Sequence, residues 1–306
     1  MGSWTSVSGS ANDIAAGDFN GDGNVDLALA NATTQVVVGN GDGTFQPPIS
    51  SSTGSNTVAA GDLNHDGVLD LLICGFDTGI LLGNGDGTFD PPTFYGVGNR
   101  FARIGYFNRD QDPDVVAGGD YAAIGVAFGR PDGTLRAPRS YLGGSGGFDT
   151  ADFDGDGHAD VKVAGGGLFF LRGLGDGTFE SGVQVSELGA DRLVATDLNA
   201  DGKLDLLISS FSSLEAAIYT LLGNGDGTFQ PSQRTALSID DHPWPAVGDF
   251  KEDGLMDVTL TGVSDDELVI LIGKGDGTFE PEFSYHTDDG PQSPTAADFN
   301  ATATST

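Results

Sequence analysis

"GDFNGDGNVD", residues 17–26, sets Asp18, Asn20 and Asp22 at alternate positions, follows them with Gly23 and closes on Asp26. Alternating oxygen-bearing side chains ahead of a glycine form the first half of a calcium loop of the helix–loop–helix kind, where glycine permits the sharp bend. Such a loop needs a bidentate carboxylate at position 12. Counted from Asp18 that position is Leu29, and in the regular copies of the stretch it is Ile73, Val163, Ile208 and Leu260. All are aliphatic and lie inside an apolar run. The helix–loop–helix reading fails, and the loop joins two strands instead.

The stretch recurs as "GDLNHDGVLD" (61–70), "ADFDGDGHAD" (151–160), "TDLNADGKLD" (196–205) and "GDFKEDGLMD" (248–257), with a broken copy, "GYFNRDQDPD", at 105–114. A second motif alternates with it: "GNGDGTF" at 39–45, 83–89 and 223–229, "GLGDGTF" at 173–179, "GKGDGTF" at 273–279, and a degenerate "GRPDGTL" at 129–135. Loop starts at 18, 62, 106, 152, 197 and 249 give a period of 44 to 52 residues, the mark of a repeat architecture. Each unit reads as four short strands: a small apolar run into the acidic loop, an aliphatic run out of it, a third run, the Gly-Asp-Gly turn, and a polar fourth strand. Gly and Pro punctuate the junctions, and no stretch carries a sustained helical period. Apolar runs without alternation belong to strands covered on both faces.

The sequence therefore predicts an all-β fold: a β-propeller of four-stranded blades forming a single domain over residues 1–306. Its units span 12–53, 54–97, 98–144, 145–188, 189–238 and 239–288, with a partial closing strand at 289–306. Six blades closed by strand overlap is the first expectation, and a seven-bladed ring with an incomplete or shared blade is the alternative.

Composition narrows the partners. Against 45 acidic residues stand 13 basic ones, a net charge of −32, so a phosphate backbone is repelled and nucleic acid is excluded as a partner. No apolar run approaches the roughly 18 to 20 residues of a membrane span, so no membrane insertion is expected. Cys74 is the one cysteine, so no intramolecular disulfide can form, and its setting in "LDLLICG" reads as a small buried apolar residue. The opening "MGSWTS" fits a myristoylation pattern, but a cloning start or a trimmed leader explains it better.

Carboxylates at positions 1, 3, 5 and 9 with the carbonyl at 7 supply about six hard oxygens, a set suited to Ca²⁺ and less to the tighter octahedron of Mg²⁺. On these loops and the "GDGTF" turns, repeated along nearly the whole chain, the sequence resembles the FG-GAP/VCBS repeat family, and its loops are similar to those of the integrin α-subunit propeller. The resemblance implies that each loop joins the first two strands of a blade and braces it with calcium. Carried over by position, the implied ligands are Asp18, Asn20, Asp22, Asn24 and Asp26 in unit one, and Asp62, Asn64, Asp66, Val68 and Asp70 in unit two. Unit four offers Asp152, Asp154, Asp156, His158 and Asp160, and unit five Asp197, Asn199, Asp201, Lys203 and Asp205, position 7 acting through its carbonyl. In unit six Asp249, Asp253 and Asp257 remain, but Lys251 stands at position 3 and is expected to weaken or replace the ion. Unit three has Tyr106 at position 1, Gln111 in place of glycine and Arg109 inside the loop, so no tight ion is expected there. Four to five calcium ions follow. The phenylalanines of the "GDGTF" turns, Phe45, Phe89, Phe179, Phe229 and Phe279, are expected to pack between blades.

Function is sought where units differ. Six of nine arginines, Arg100, Arg103, Arg109, Arg130, Arg136 and Arg139, fall in or beside unit three with Tyr106, Tyr121 and Tyr141 among them. This basic, aromatic island reads either as charge compensation or as a surface for an anionic ligand. Five residues before the loop starts stand Phe101, Arg192 and Trp244, expected on the rim that carries ligand contacts in integrin-type propellers. The leading expectation is a calcium-stabilised extracellular or cell-surface propeller for adhesion or protein recognition. The first alternative is a lectin, because related propellers bind sugars between blades. The second is a calcium-dependent polysaccharide-active enzyme, but no nucleophile elbow, phosphate loop or zinc constellation is present and no catalytic residue is assigned.

Overall fold

The computed structural model describes residues 11–51, 53–119, 123–142, 146–189, 192–212, 215–239, 244–262, 266–280, 283–287 and 294. Among these the chain forms six antiparallel sheets of four consecutive strands each, the blades of a propeller. Blade one holds β1 (Asp13–Gly17), β2 (Asp26–Ala30), β3 (Gln35–Val37) and β4 (Ile49–Ser50). Blade two holds β5 (Thr57–Gly61), β6 (Asp70–Cys74), β7 (Thr78–Leu81) and β8 (Thr93–Phe94). Blade three holds β9 (Phe101–Gly105), β10 (Asp114–Gly118), β11 (Ala123–Ala127) and β12 (Arg139–Leu142). Blade four holds β13 (Phe148–Ala151), β14 (Asp160–Ala164), β15 (Leu168–Leu171) and β16 (Val183–Ser186). Blade five holds β17 (Arg192–Thr196), β18 (Asp205–Ser212), β19 (Glu215–Leu221) and β20 (Gln233–Ala236). Blade six holds β21 (Trp244–Gly248), β22 (Asp257–Gly262), β23 (Glu267–Leu271) and β24 (Phe283–His286).

The first strands are half-buried because they ring a central channel of about 270 Å³, lined by Ile14, Val58, Arg103, Phe148, Val194 and Pro245, one from each blade. The second strands β2, β6, β10, β14 and β22 are buried along their whole length. Successive side chains of a strand point to opposite faces, so the two faces of each second strand serve two neighbours. Val115 packs with Leu72 and Cys74 of blade two, whereas Val116 packs with Phe148 and Val161 of blade four. The hydrophobic core is thus a set of layers between blades, which explains unbroken apolar runs in an antiparallel fold.

Up-and-down connectivity sorts the loops onto two faces. The acidic loops and Gly-Asp-Gly turns share one, here the loop face. The hairpins between second and third strands share the other, the hairpin face, with the entries to the first strands. Each blade draws all four of its strands from one stretch of chain. No overlapping closing strand occurs among the described residues, and the closing strand expected at 289–306 lies outside them apart from residue 294, as do residues 1–10.

Candidate metal loops and binding clefts

In the five regular loops the backbone folds around the side chains that the repeat supplies. The position-1 carboxylate accepts the position-6 N–H, as Asp18 does from Gly23 (2.8 Å), Asp62 from Gly67 (3.0 Å), Asp152 from Gly157 (2.8 Å), Asp197 from Gly202 (2.8 Å) and Asp249 from Gly254 (2.7 Å). The position-5 carboxylate accepts the position-7 N–H, as in Asp22 with Asn24 and Asp66 with Val68, both 2.8 Å. In loops one, two, four and five the position-3 oxygen also accepts the position-5 N–H, which draws positions 1, 3 and 5 together. In loop four, carboxylate oxygens of Asp152, Asp154 and Asp156 lie within 4.8 Å of one another, a spread that one ion with Ca–O bonds of about 2.4 Å can bridge. The donor set is all oxygen, and it fits a hard cation.

Position 9 has a further use that spacing did not reveal. Each of Asp26, Asp70, Asp114, Asp160, Asp205 and Asp257 is fully buried. One oxygen accepts the position-2 N–H and the other the N–H of the glycine that opens the "GxGDGTF" turn, at 2.7 to 3.0 Å in all six blades. These carboxylates clasp the acidic loop to the end of the third strand. The glycine is required because a Cβ on Gly39 would overlap the Val25 carbonyl, and the same overlap recurs at Gly83, Gly129, Gly173, Gly223 and Gly273. Burial pushes the Asp26, Asp70, Asp114 and Asp205 carboxyls up, against the pull of their two N–H donors, and pushes Asp160 up to about 6.

The "GDGTF" turn ties blades together. Its Asp accepts both the N–H and the hydroxyl of the following Thr, as Asp86 does from Thr88. Its second glycine donates to the preceding blade: Gly87 to the Phe19 carbonyl, Gly177 to Phe107 and Gly227 to Phe153. The turn phenylalanine follows, with Phe89 edge-on to Phe19 (5.8 Å) and Phe179 edge-on to Phe107 (5.5 Å). Between blades four and five a fully buried Lys162 takes part, its Nζ donating to the Gly227 carbonyl (2.8 Å). The rings of Phe170, Phe229 and Phe153 surround it at 3.4, 4.7 and 5.2 Å, and burial pushes it down to about 7. Cys74 is buried, with its thiol pushed up to about 11 by that burial, an inert core residue.

The irregular loops depart in different ways. Loop three keeps the turns at Asn108 and Asp110 and the clasp at Asp114. Gln111 takes the left-handed conformation (φ 69°) that glycine holds elsewhere. In loop six Lys251 does not sit on the loop carboxylates, as expected of a residue replacing the ion; its Nζ reaches Glu280, 4.0 Å away. The shorter lever is at loop four, where Arg172 from the end of β15 reaches Asp154 through Nε (2.5 Å) and Asp156 through Nη2 (2.9 Å). The corresponding residues elsewhere are Val38, Leu82, Phe128, Leu222 and Ile272. Arg172 is the cation on the loop-four carboxylates that sequence reading missed, because it enters from another strand.

The basic island is not one surface. Arg100 and Phe101 open onto the hairpin face, Arg103 lies in the channel, and Arg109, Arg130, Arg136 and Arg139 belong to the loop face. Phe101, Arg192 and Trp244 do meet, at the channel mouth, but as a half-buried stack and not as separate exposed anchors: the Arg192 guanidinium lies 3.8 Å from the Trp244 ring and 4.5 Å from that of Phe101. Arg100 adds a fourth member, 5.3 Å from the Phe101 ring. Deeper in, Asp149 accepts the Ala195 N–H (2.9 Å); burial raises its carboxyl and Arg103 counters that rise. Tyr121 lies outside the described residues.

With the fold and loops in place, the family is decided by five matches to the FG-GAP-like repeat, over residues 18–73, 106–163, 152–208, 197–260 and 249–302. The chain belongs to the FG-GAP-like repeat family. No curated protein sequence matches this FG-GAP-like chain. Among solved structures it is similar to an Agrocybe aegerita lectin that recognises non-reducing terminal N-acetylglucosamine, with 24% identity, a TM-score of 0.65 and coverage of 89% of this chain and 79% of that one. It is also similar to BBS1N in its complex with ARL6DN (11% identity, TM-score 0.61, 94% and 85% covered) and to a protein from Lactobacillus plantarum (14%, 0.56, 92% and 86%). At these identities the likeness is one of fold.

The FG-GAP-like propeller carries one more feature that sequence reading passed over. Phe76, in the β6–β7 hairpin, is wholly exposed at 108% of its reference surface. It borders a cleft of about 470 Å³ between blades two and three, beside Asp77, Asn99, Ser140 and the backbone of Gly96, Gly98 and Gly125. A lone phenylalanine in "CGFDTG" looks like the end of a strand, and only the hairpin geometry turns it outward.

Proposed function

We propose that this propeller is a calcium-braced glycan-binding protein working outside the cell, with a saccharide site in the Phe76 cleft on the hairpin face. The observation that carries the reading is the exposed Phe76 ring beside the polar groups of Asp77 and Asn99. The C–H face of a pyranose ring packs on an aromatic face, while its hydroxyls seek carboxylate, amide and backbone partners. An apolar platform with a few convergent polar groups is the form such a site takes. The lectin similar in fold is consistent with this reading. The all-oxygen loops support calcium as the brace, and calcium is most abundant outside cells. Binding is favoured over catalysis because the loop histidines are engaged with neighbours, His65 with Asp112 (3.2 Å) and His158 with Arg109 (3.1 Å). A protein partner is the second reading, favoured by the long β18–β19 hairpin, which rises on the same face.

The test is a glycan array probed with wild type and Phe76→Ala, with and without EDTA. Saccharide binding that is lost in Phe76→Ala and weakened by EDTA is the expected result. A clean array, or one indifferent to Phe76→Ala, rejects the saccharide site and leaves the protein reading.

A further inference from the structure

On the loop face, three arginines of blade three border one cleft of about 540 Å³ between that blade and blade four: Arg109 from the acidic loop, and Arg136 and Arg139 from the chain after the 3–4 turn. The repeat is its own control. The register position of Arg136 holds Gln46, Asp90, Glu180, Gln230 and Glu280 in the other blades, and that of Arg139 holds Ile49, Thr93, Val183, Gln233 and Phe283. Arg109 corresponds to Gly21, His65, Gly155, Ala200 and Glu252. No other blade carries an arginine at any of the three. In a chain of net charge −32, a third of the nine arginines meet here.

Charge compensation accounts for only part of this, since two rim carboxylates, Asp110 and Asp176, meet three guanidiniums. Arg136 reaches Asp110 only at 3.8 Å. Arg109 donates to His158 Nε2 (3.1 Å), and Arg139 stands 5.5 Å over the Phe128 ring; neither is in an ion pair among the described residues. The second carboxylate at the rim, Asp176, takes the N–H and hydroxyl of Thr178 on one oxygen and is attracted by Arg139 without forming an ion pair with it. The guanidiniums are therefore held by a ring, the His158 imidazole and a carboxylate at 3.8 Å, and all three border the cleft.

We propose that this cleft binds an anionic oxygen group, a carboxylate or a sulfate ester, on a small ligand. The planar guanidinium fork matches both groups and is the side chain best suited to holding them. A long polyanion is disfavoured, because beyond about 8 Å, the physiological screening length, it meets the acidic remainder of the surface. The site lies on the face opposite Phe76 and does not depend on the saccharide reading above.

The experiment is calorimetric titration of the calcium-loaded protein with digalacturonic acid, N-acetylglucosamine 6-sulfate and sodium sulfate, at low and high sodium chloride. Saturable binding that weakens with salt is expected, falling about tenfold or more in Arg139→Gln, the loss of one charge-assisted hydrogen bond. Equal affinity for sodium sulfate assigns the site to the free anion, and preference for the saccharides assigns it to an acidic sugar. No saturable binding by any of the three probes at low salt overturns the proposal. So does wild-type affinity in both Arg139→Gln and Arg136→Gln; if either fails to fold, Arg109→Gln takes its place in that comparison.

Discussion

Loops one and three have the same span and end in the same clasp, yet they present different side chains ahead of it. Loop one presents Asp18, Asn20 and Asp22, whereas loop three offers Tyr106 at the first position and adds Arg109. Both keep the position-9 carboxylate, with Asp26 and Asp114 each fully buried and each bound to two backbone N–H groups. The clasp is thus common to every blade and belongs to the fold. Position 1 is free to change, and in blade three Tyr106 replaces its aspartate while Asn108 and Asp110 remain and arginines gather nearby.

Removing the clasp is the strongest way to break this comparison. Asp114→Ala strips the partners from two buried N–H groups and is expected to cost about 2–4 kcal/mol, as much as Asp70→Ala measured by urea denaturation in EDTA. If Asp114→Ala is near neutral while Asp70→Ala is severe, position 9 acts mainly through the metal and the clasp has been overvalued.

A smaller effect is expected at loop four. Arg172→Leu, which restores the aliphatic residue found in blades two and five, frees Asp154 and Asp156. Calcium should raise the melting temperature of the wild type, since a ligand that binds only the folded state stabilises it. The variant should need severalfold less calcium for the same rise. Identical calcium titrations would mean that the guanidinium is no competitor, and a wild type blind to calcium would remove the metal from the loops altogether.

The smallest change sharpens the view of loop three. Gln111 holds a φ of 69° where the other blades have glycine. Gln111→Gly relieves that strain and should stabilise the protein by about 0.5–1 kcal/mol, read as a rise in denaturation midpoint with no change in calcium response. A loss of stability would show that the Gln111 side chain contributes more than its backbone costs.

Much of the fold was legible because each unit restates the same instructions. Aliphatic runs flanking the loop recur six times, and a Gly-Asp-Gly turn marks the third junction in five of the six units. The clasp was hidden because its partners are backbone N–H groups, which have no side-chain signature. The left-handed position 4 was hidden for a related reason: His65, Ala200 and Glu252 adopt it with φ of 62°, 57° and 58°, and none of them announces it as glycine would. The arginine cluster was visible, but forty residues traverse a whole blade from one face to the other, so closeness along the chain became separation in space. Phe101, Arg192 and Trp244 were placed on the correct rim by register alone. Register does not report that long side chains at a narrow mouth reach one another.

That mouth has a mechanical consequence. Phe101, Arg192 and Trp244 come from blades three, five and six, and among the described residues blade three shares no sheet and no interblade layer with either of the others. Around the circumference, load passes only from each blade to the next. The stack at the axis acts instead like a hub to which distant spokes are fastened, so a pull on the hairpin face reaches three blades at once and resists prising the ring apart one seam at a time.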